Sequence, residues 1–330
     1  MSDYLDRHLA ESRDAQRRIE AYVRRTPLLG TDLDPNLLLK PECFQPTGSF
    51  KVRGAYNAVL RLGEASAPPA GVIAVSSGNH AQALALAART AGLPALILIP
   101  EDANPAKIAS TRALGAEVIT EGITFANREQ KLREAAAERG YHVVHPFDDW
   151  DVIHGAGTAA LELLADRPDV GAIVMPVGGG GMLSGTALVA KSIRPEVRVV
   201  AVEPEQAADA AQTFASGQLH TLPESPTTLA DGVRAVAIGR RTLEVMVENR
   251  LVDAIVTVTE AEIAEATVTA WTRLKLALEP TGALPLAGWL SGRLPAGPGP
   301  TALVLTGGNA DLGLVARLLA DARRQGRDDA

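Results

Sequence analysis

The 330 residues contain a single cysteine, Cys43, so no internal disulfide can form and a reducing, cytoplasmic setting is the expectation. Aromatic residues make up only 4% of the chain, so its core must be assembled from the aliphatic side chains that dominate the 46% hydrophobic content. No long apolar run is present. The most apolar segment is broken by Arg89 and Pro94, and residues 1–25 form a charged amphipathic stretch without the apolar centre of a signal peptide. Charge of one sign is not concentrated anywhere: the net value is −7, with acids and bases interspersed. That distribution predicts neither a nucleic-acid nor a membrane partner and leaves a small molecule as the expected ligand. The six histidines show no metal-ligand spacing, which argues against a zinc enzyme.

What is present is alternation. Strand-like aliphatic runs occur at 37–40, 72–75, 95–99, 117–120, 142–145, 172–177, 198–203, 254–258 and 302–306, with helical patterns between most of them, among others at 81–91, 105–114, 127–139 and 155–165. The pattern predicts an α/β fold of two open, mainly parallel sheets flanked by helices. Breaks at 67–71 and 145–150 bracket four strand–helix units. Residues 67–145 are therefore expected to form a small lobe, and 1–66 with 146–330 a discontinuous large lobe.

Four turns following strands or opening helices carry chemistry-bearing residues. The run Gln45-Pro46-Thr47-Gly48-Ser49-Phe50-Lys51 places a lysine at a helix start. It reads either as an ordinary surface loop or as a buried amine, neutral enough to form a Schiff base with an aldehyde. Ser76-Ser77-Gly78-Asn79-His80 follows a strand and opens a helix, as a cap or as a receptor for a carboxylate or ring oxygen. Four consecutive glycines, Gly178, Gly179, Gly180 and Gly181, followed by Met182, cost backbone entropy and point to a phosphate cradled by N–H groups. A dinucleotide site, and with it an NAD-dependent dehydrogenase, is the rival reading, because Glu203 ends the next strand. The third glycine of that fingerprint, however, falls on Leu183 or Ser184. Finally, Thr306-Gly307-Gly308-Asn309 closes the last strand.

In this order the four segments resemble the fold-type II enzymes of pyridoxal 5′-phosphate, a tryptophan synthase β-like fold, and within them the serine/threonine dehydratase (ammonia-lyase) and serine racemase branch. The resemblance spans nearly the whole chain. It implies that Lys51 carries the cofactor and acts as base, with Phe50 beside the ring. Asn79 would bond the ring's 3′ oxygen, the four glycines and Met182 the phosphate, and Thr306 the pyridine nitrogen. Ser76, Ser77, Gly78, Asn79 and His80 would receive the substrate carboxylate, and Arg128 aligns with a substrate-lobe arginine of serine racemases. Glu203, the Ala207 carbonyl and Asp209 match the branch's divalent-cation site, with oxygen donors suited to magnesium, manganese or calcium.

The implied activity is β-elimination of a small L-hydroxy amino acid to a 2-oxo acid and ammonia. Ser77 stands where dedicated dehydratases often carry alanine and racemases serine, so serine racemase is an alternative, as is a 3-hydroxyaspartate ammonia-lyase. A dehydrogenase would leave the Lys51 run unexplained. Ala156 replaces a glutamine common in the family. The resemblance further implies a homodimer, and the short stretch after Thr306 implies no C-terminal regulatory domain.

Overall fold

The aliphatic runs sort themselves into two sheets according to which helices cover them. The computed structural model describes residues 1–101, 103, 105–124, 126–295 and 297–328. Its strands are β1 (Leu29–Gly30), β2 (Leu37–Pro41), β3 (Val72–Val75), β4 (Ala95–Leu98), β5 (Glu117–Ile119), β6 (His142–Val143), β7 (Ala172–Pro176), β8 (Arg198–Pro204), β9 (Ala254–Val258) and β10 (Thr301–Leu305). Six of them form one sheet in the order β1-β2-β10-β7-β8-β9, and the other four form a second in the order β5-β4-β3-β6. Every pairing is parallel except β1 with β2, so the larger sheet is mixed and the smaller wholly parallel. The two-residue β1 is too short to leave a periodic signal, and sequence reading passed over it.

The helices are α1 (Ser2–Ile19), α2 (Lys51–Gly63), α3 (Asn79–Ala91), α4 (Pro105–Ala113), α5 (Arg128–Arg139), α6 (Trp150–Asp166), α7 (Gly181–Ile193), α8 (Asp209–Ser216), α9 (Arg240–Leu243), α10 (Glu260–Thr269), α11 (Pro280–Leu290) and α12 (Leu312–Asp328). None of the described helices is long and apolar enough to cross a membrane. Helix α6 starts five residues earlier than its apolar pattern, because the Asp149 side chain accepts the Asp151 and Val152 N–H groups and caps it. That cap turns the expected break at 145–150 into a tight turn leading directly into the helix.

Inner strands β2 and β7 are buried along their whole length, as parallel strands covered on both faces must be. One face of the large sheet packs Ile173, Met175 and Val199 against Ile153, Leu163 and Leu188 of α6 and α7. Its other face packs Val200, Val202 and Leu303 against Leu284 and Leu286 of α11. The small sheet is covered by α2 and α3, with Val52, Val59 and Leu84 against Val72, Ala74 and Ile97. Helix α6 serves both cores, since Val152 belongs to the small sheet's cluster and Ile153 to the large sheet's.

A buried ion quartet pins α2 in place. Arg53 donates to Glu42 at 2.7 Å and to Glu162 at 2.7 Å, while Lys40 reaches Glu162 at 2.6 Å. Two cations thus meet two anions, and each charge finds a partner that its burial would otherwise make costly. The N-terminal helix docks by a second polar contact, in which His8 Nδ1 lies 2.9 Å from His154 Nε2 on α6.

Candidate active site

Lys51 is the first residue of α2, and the backbone before it takes an unusual path. Thr47 and Gly48 both adopt left-handed conformations, at φ 63° and 72°. A side chain at residue 48 would meet Asn309, since an added Cβ would lie 2.6 Å from its Oδ1. The chain then runs beside the end of β10: Ser49 bridges Gly307, Phe50 N–H donates to the Thr306 carbonyl at 3.0 Å, and Gly308 N–H donates to the Gly48 carbonyl at 2.9 Å. The lysine run and the Thr306 turn are thus stitched together by backbone hydrogen bonds.

The Lys51 amine donates to the Pro146 carbonyl at 2.8 Å and sits 5.1 Å from the centre of the Phe50 ring. Burial pushes its pKa down to about 8, and its hydrogen-bond partner is a neutral carbonyl, not a carboxylate that would restore the charge. The next residue, Phe147, brings in the glycine turn. A Cβ on Gly179 would run into the Phe147 ring, and one on Gly180, at φ 88°, would strike Thr242. The close approach that the four glycines announced is therefore made in part by the protein itself. Gly181 opens α7, whose first N–H groups have no partners within the helix, and Met182 is buried beneath them.

Ser76, Ser77, Gly78 and Asn79 are half-buried where β3 ends and α3 begins, with Ser76 N–H bonded to the Leu98 carbonyl at 3.1 Å. The His80 side chain points away into the core, with Nε2 3.0 Å from the Val144 carbonyl and Nδ1 buried without a partner. Burial drives its pKa down to about 3, so it stays a neutral imidazole. Asn79 is joined to the Thr306 turn, its Oδ1 accepting from Asn309 Nδ2 at 2.7 Å. All four segments thereby converge on one place at the carboxyl ends of strands from both sheets, where open parallel sheets bind ligands.

Arg128 lies at the start of α5, half-buried, and burial lowers its pKa. Its neighbour Glu129 acts electrostatically on His145, as does Lys51. Glu203 and Asp209 lie elsewhere, at the end of β8 and the start of α8. Glu203 Oε1 accepts the Ala211 N–H at 2.7 Å, while Glu203 Oε2 and both Asp209 carboxylate oxygens are buried without partners. Burial pushes the Glu203 carboxyl up to about 8 and that of Asp209 to about 7. Ala207 is buried in the turn between them. Among the described residues no three His, Cys, Asp or Glu side chains come together as a metal site, so a cation here would need backbone carbonyls as well.

Sequence reading missed Glu279. It precedes α11, is buried, accepts from Asn79 Nδ2 at 2.7 Å, and has its carboxyl pushed up to about 7, chiefly by burial. One signal was available: Glu279 is the only charged residue between Lys275 and Arg293. A lone acid in an apolar stretch asks for a buried partner. Asn309 was read only as part of the turn that closes the last strand, and Phe147 was given no role, because what they do rests on contacts between segments far apart in the chain.

An amine kept near neutrality without a counter-ion, beside a glycine turn at a helix N-terminus, suits a phosphorylated aldehyde. The chain belongs to the family of pyridoxal-phosphate dependent enzymes, whose model it matches over residues 19–307. Among its relatives in that family are ammonia-lyases and racemases. It is 42% identical to a serine racemase of Arabidopsis thaliana over 311 residues, covering 91% of this chain and 92% of that one. It is 40% identical to an L-threo-3-hydroxyaspartate ammonia-lyase of Saccharomyces cerevisiae, covering 93% and 94%. Among solved structures it is similar to a T.th. threonine deaminase, at 47% identity and a TM-score of 0.86, covering 92% and 98% of the two chains. The protein is thus a pyridoxal 5′-phosphate enzyme of the lyase and racemase group with the fold-type II architecture, and the dehydrogenase reading falls away.

Proposed function

We propose that the protein is a serine/threonine ammonia-lyase, converting a small L-hydroxy amino acid to a 2-oxo acid and ammonia. The observation that carries this reading is the state of Lys51, an amine with its pKa lowered to about 8 and hydrogen-bonded only to the Pro146 carbonyl in the contacts described. Such an amine can hold an aldehyde and, once released by substrate, take the proton from Cα. Bound pyridoxal phosphate supplies the sink for the electron pair left at Cα. The four-glycine turn and Met182 would hold the phosphate, Phe50 would lie beside the ring, and Asn79 would bond its 3′ oxygen. Thr306 would offer the pyridine nitrogen a hydroxyl, which does not drive it to protonate as a carboxylate would. Expulsion of the β-hydroxyl is then favoured over storage of the pair.

Ser76, Ser77, Gly78, Asn79 and the His80 backbone would take the substrate carboxylate at the N-terminus of α3, with Arg128 at the rim. Ser77 supports a second reading. A hydroxyl able to act as acid opposite Lys51 would return the proton to the other face and make D-serine, in keeping with the relatives named serine racemase. Glu203, the Ala207 carbonyl and Asp209 would hold magnesium, manganese or calcium, and their unpartnered buried oxygens support it. The same reading includes a small lobe at 67–145, a homodimer and a cytoplasmic setting.

The test is incubation of the cofactor-loaded protein and its Ser77→Ala variant with L-serine, L-threonine and L-threo-3-hydroxyaspartate, measuring 2-oxo acid, ammonia and D-isomer together. Prompt 2-oxo acid from serine or threonine with little D-isomer is expected. D-serine in excess, falling more than pyruvate in the variant, would replace the lyase reading with racemase. Product from 3-hydroxyaspartate alone would name a different lyase.

A further inference from the structure

Asn79 is held by a chain of side-chain hydrogen bonds that runs in one direction. At one end lies the carbonyl of Thr47, in the left-handed turn before Lys51, and at the other the carboxyl of Glu279, ahead of α11. Asn309 Nδ2 donates to the Thr47 carbonyl at 2.7 Å and to Asn79 Oδ1 at 2.7 Å, and Asn79 Nδ2 donates to Glu279 Oε1 at 2.7 Å. A carboxamide normally leaves its nitrogen and oxygen interchangeable, and only its partners decide between them. Here a backbone carbonyl, which can only accept, fixes the nitrogen of Asn309. Both N–H groups of Asn309 are then spent, the second of them on Asn79, so the Asn79 oxygen must face Asn309 and its nitrogen must face Glu279. The Glu279 carboxyl at that far end can only accept when ionised, and then favours the same choice.

Asn79 Nδ2 carries two N–H groups, and the bond to Glu279 uses one. We propose that Asn309 and Glu279 are positioning residues that lock the Asn79 carboxamide in one orientation, so that its second N–H is presented to an anionic oxygen of the cofactor. The inference rests on the placement of Asn79 at the cofactor's 3′ oxygen given above. It adds two residues to the recognition of that oxygen, both of them acting through the Asn79 carboxamide. Flipping Asn79 would set its oxygen against the Glu279 carboxylate and its nitrogen against the Asn309 nitrogen, two repulsions in place of two bonds. The arrangement therefore acts on recognition of one atom and not on the cofactor as a whole.

The experiment titrates cofactor-free protein with pyridoxal 5′-phosphate and with its 3-deoxy analogue, following visible absorbance, while thermal melts check that each variant is folded. Asn79→Ala, Asn309→Ala and Glu279→Ala should each weaken binding of the full cofactor about tenfold, the worth of one hydrogen bond to a charged oxygen, and leave the analogue within about twofold. Glu279→Gln keeps an acceptor at the end of the chain and should restore most of the discrimination. Losses of equal size for both ligands, or none for either, in the Asn309 and Glu279 variants would overturn the proposal while Asn79→Ala still discriminates. If Asn79→Ala itself fails to discriminate, the placement of Asn79 is wrong and the proposal falls with it.

Discussion

Two lysines, one enclosed and one half-buried, show how a neighbour decides what a residue does. Lys40 is fully enclosed, but Glu162 lies 2.6 Å from its amine and the Thr26 carbonyl 2.8 Å, so it is tied into the ion quartet as a structural cation. Lys51 has the Pro146 carbonyl alone among the hydrogen bonds described, and burial lowers its pKa to about 8 with no carboxylate to oppose the shift. A lowered lysine pKa means that the neutral, nucleophilic amine appears at a lower pH than for a solvated lysine near 10.5. The rate at which cofactor-free protein captures pyridoxal 5′-phosphate should therefore climb about tenfold per pH unit below about 8 and level off above it. Stopped-flow absorbance from pH 6 to pH 10 measures this. A rate still climbing at pH 10 would show that Lys51 titrates as an ordinary lysine.

At the scale of the elements, what could be read from sequence was whatever a local pattern encodes. Strands β7 and β8 are unbroken aliphatic runs, and α5 ends at Gly140, so their places followed from periodicity and punctuation. The lysine run and the glycine turn were legible because their residue types are costly to place without a use. What stayed hidden depends on contacts across the fold. The Glu279 to Asn79 bond joins residues two hundred positions apart, the Phe147 ring and Thr242 explain two glycines that looked reserved for phosphate, and Arg53 finds Glu162 only once α2 lies on α6. The junction of β8 and α8 shows the same limit, since Glu203 and Asp209 were readable as a pair but the lack of partners for three of their oxygens was not. Three buried carboxylate oxygens without donors are a standing cost that a cation would relieve. Chelator-treated protein should gain about 5 °C in melting temperature on addition of magnesium, manganese or calcium at a hundredfold excess over the dissociation constant. Asp209→Asn should lose that gain, and a melt indifferent to chelator and cation in the parent protein would remove the site.

Across the whole molecule, acid should unfold the protein through its imidazoles. His8 on α1 and His154 on α6 share a hydrogen bond of 2.9 Å, with the Trp150 ring 4.4 Å from that of His8, and through this contact the N-terminal helix is joined to α6, which serves both cores. Burial lowers the His8 pKa to about 4 and that of His154 to about 3, from an ordinary value of 6.5. Both rings are therefore neutral in the fold at any pH above about 5, whereas in the unfolded chain they take up protons below 6.5. Since the folded value is the depressed one, the stability each ring confers is fully present above 6.5 and is lost as pH falls from there toward the folded value. Between pH 7 and pH 5 a single such ring costs the fold about 2 kcal/mol. His154→Gln removes one of these protons while keeping a side chain able to bond His8. The parent protein should thus lose about 2 kcal/mol more than this variant when urea unfolding is repeated at the two pH values. Equal losses would mean that His154 is already protonated in the fold, and that the contact between α1 and α6 is an ion-tolerant one open to water.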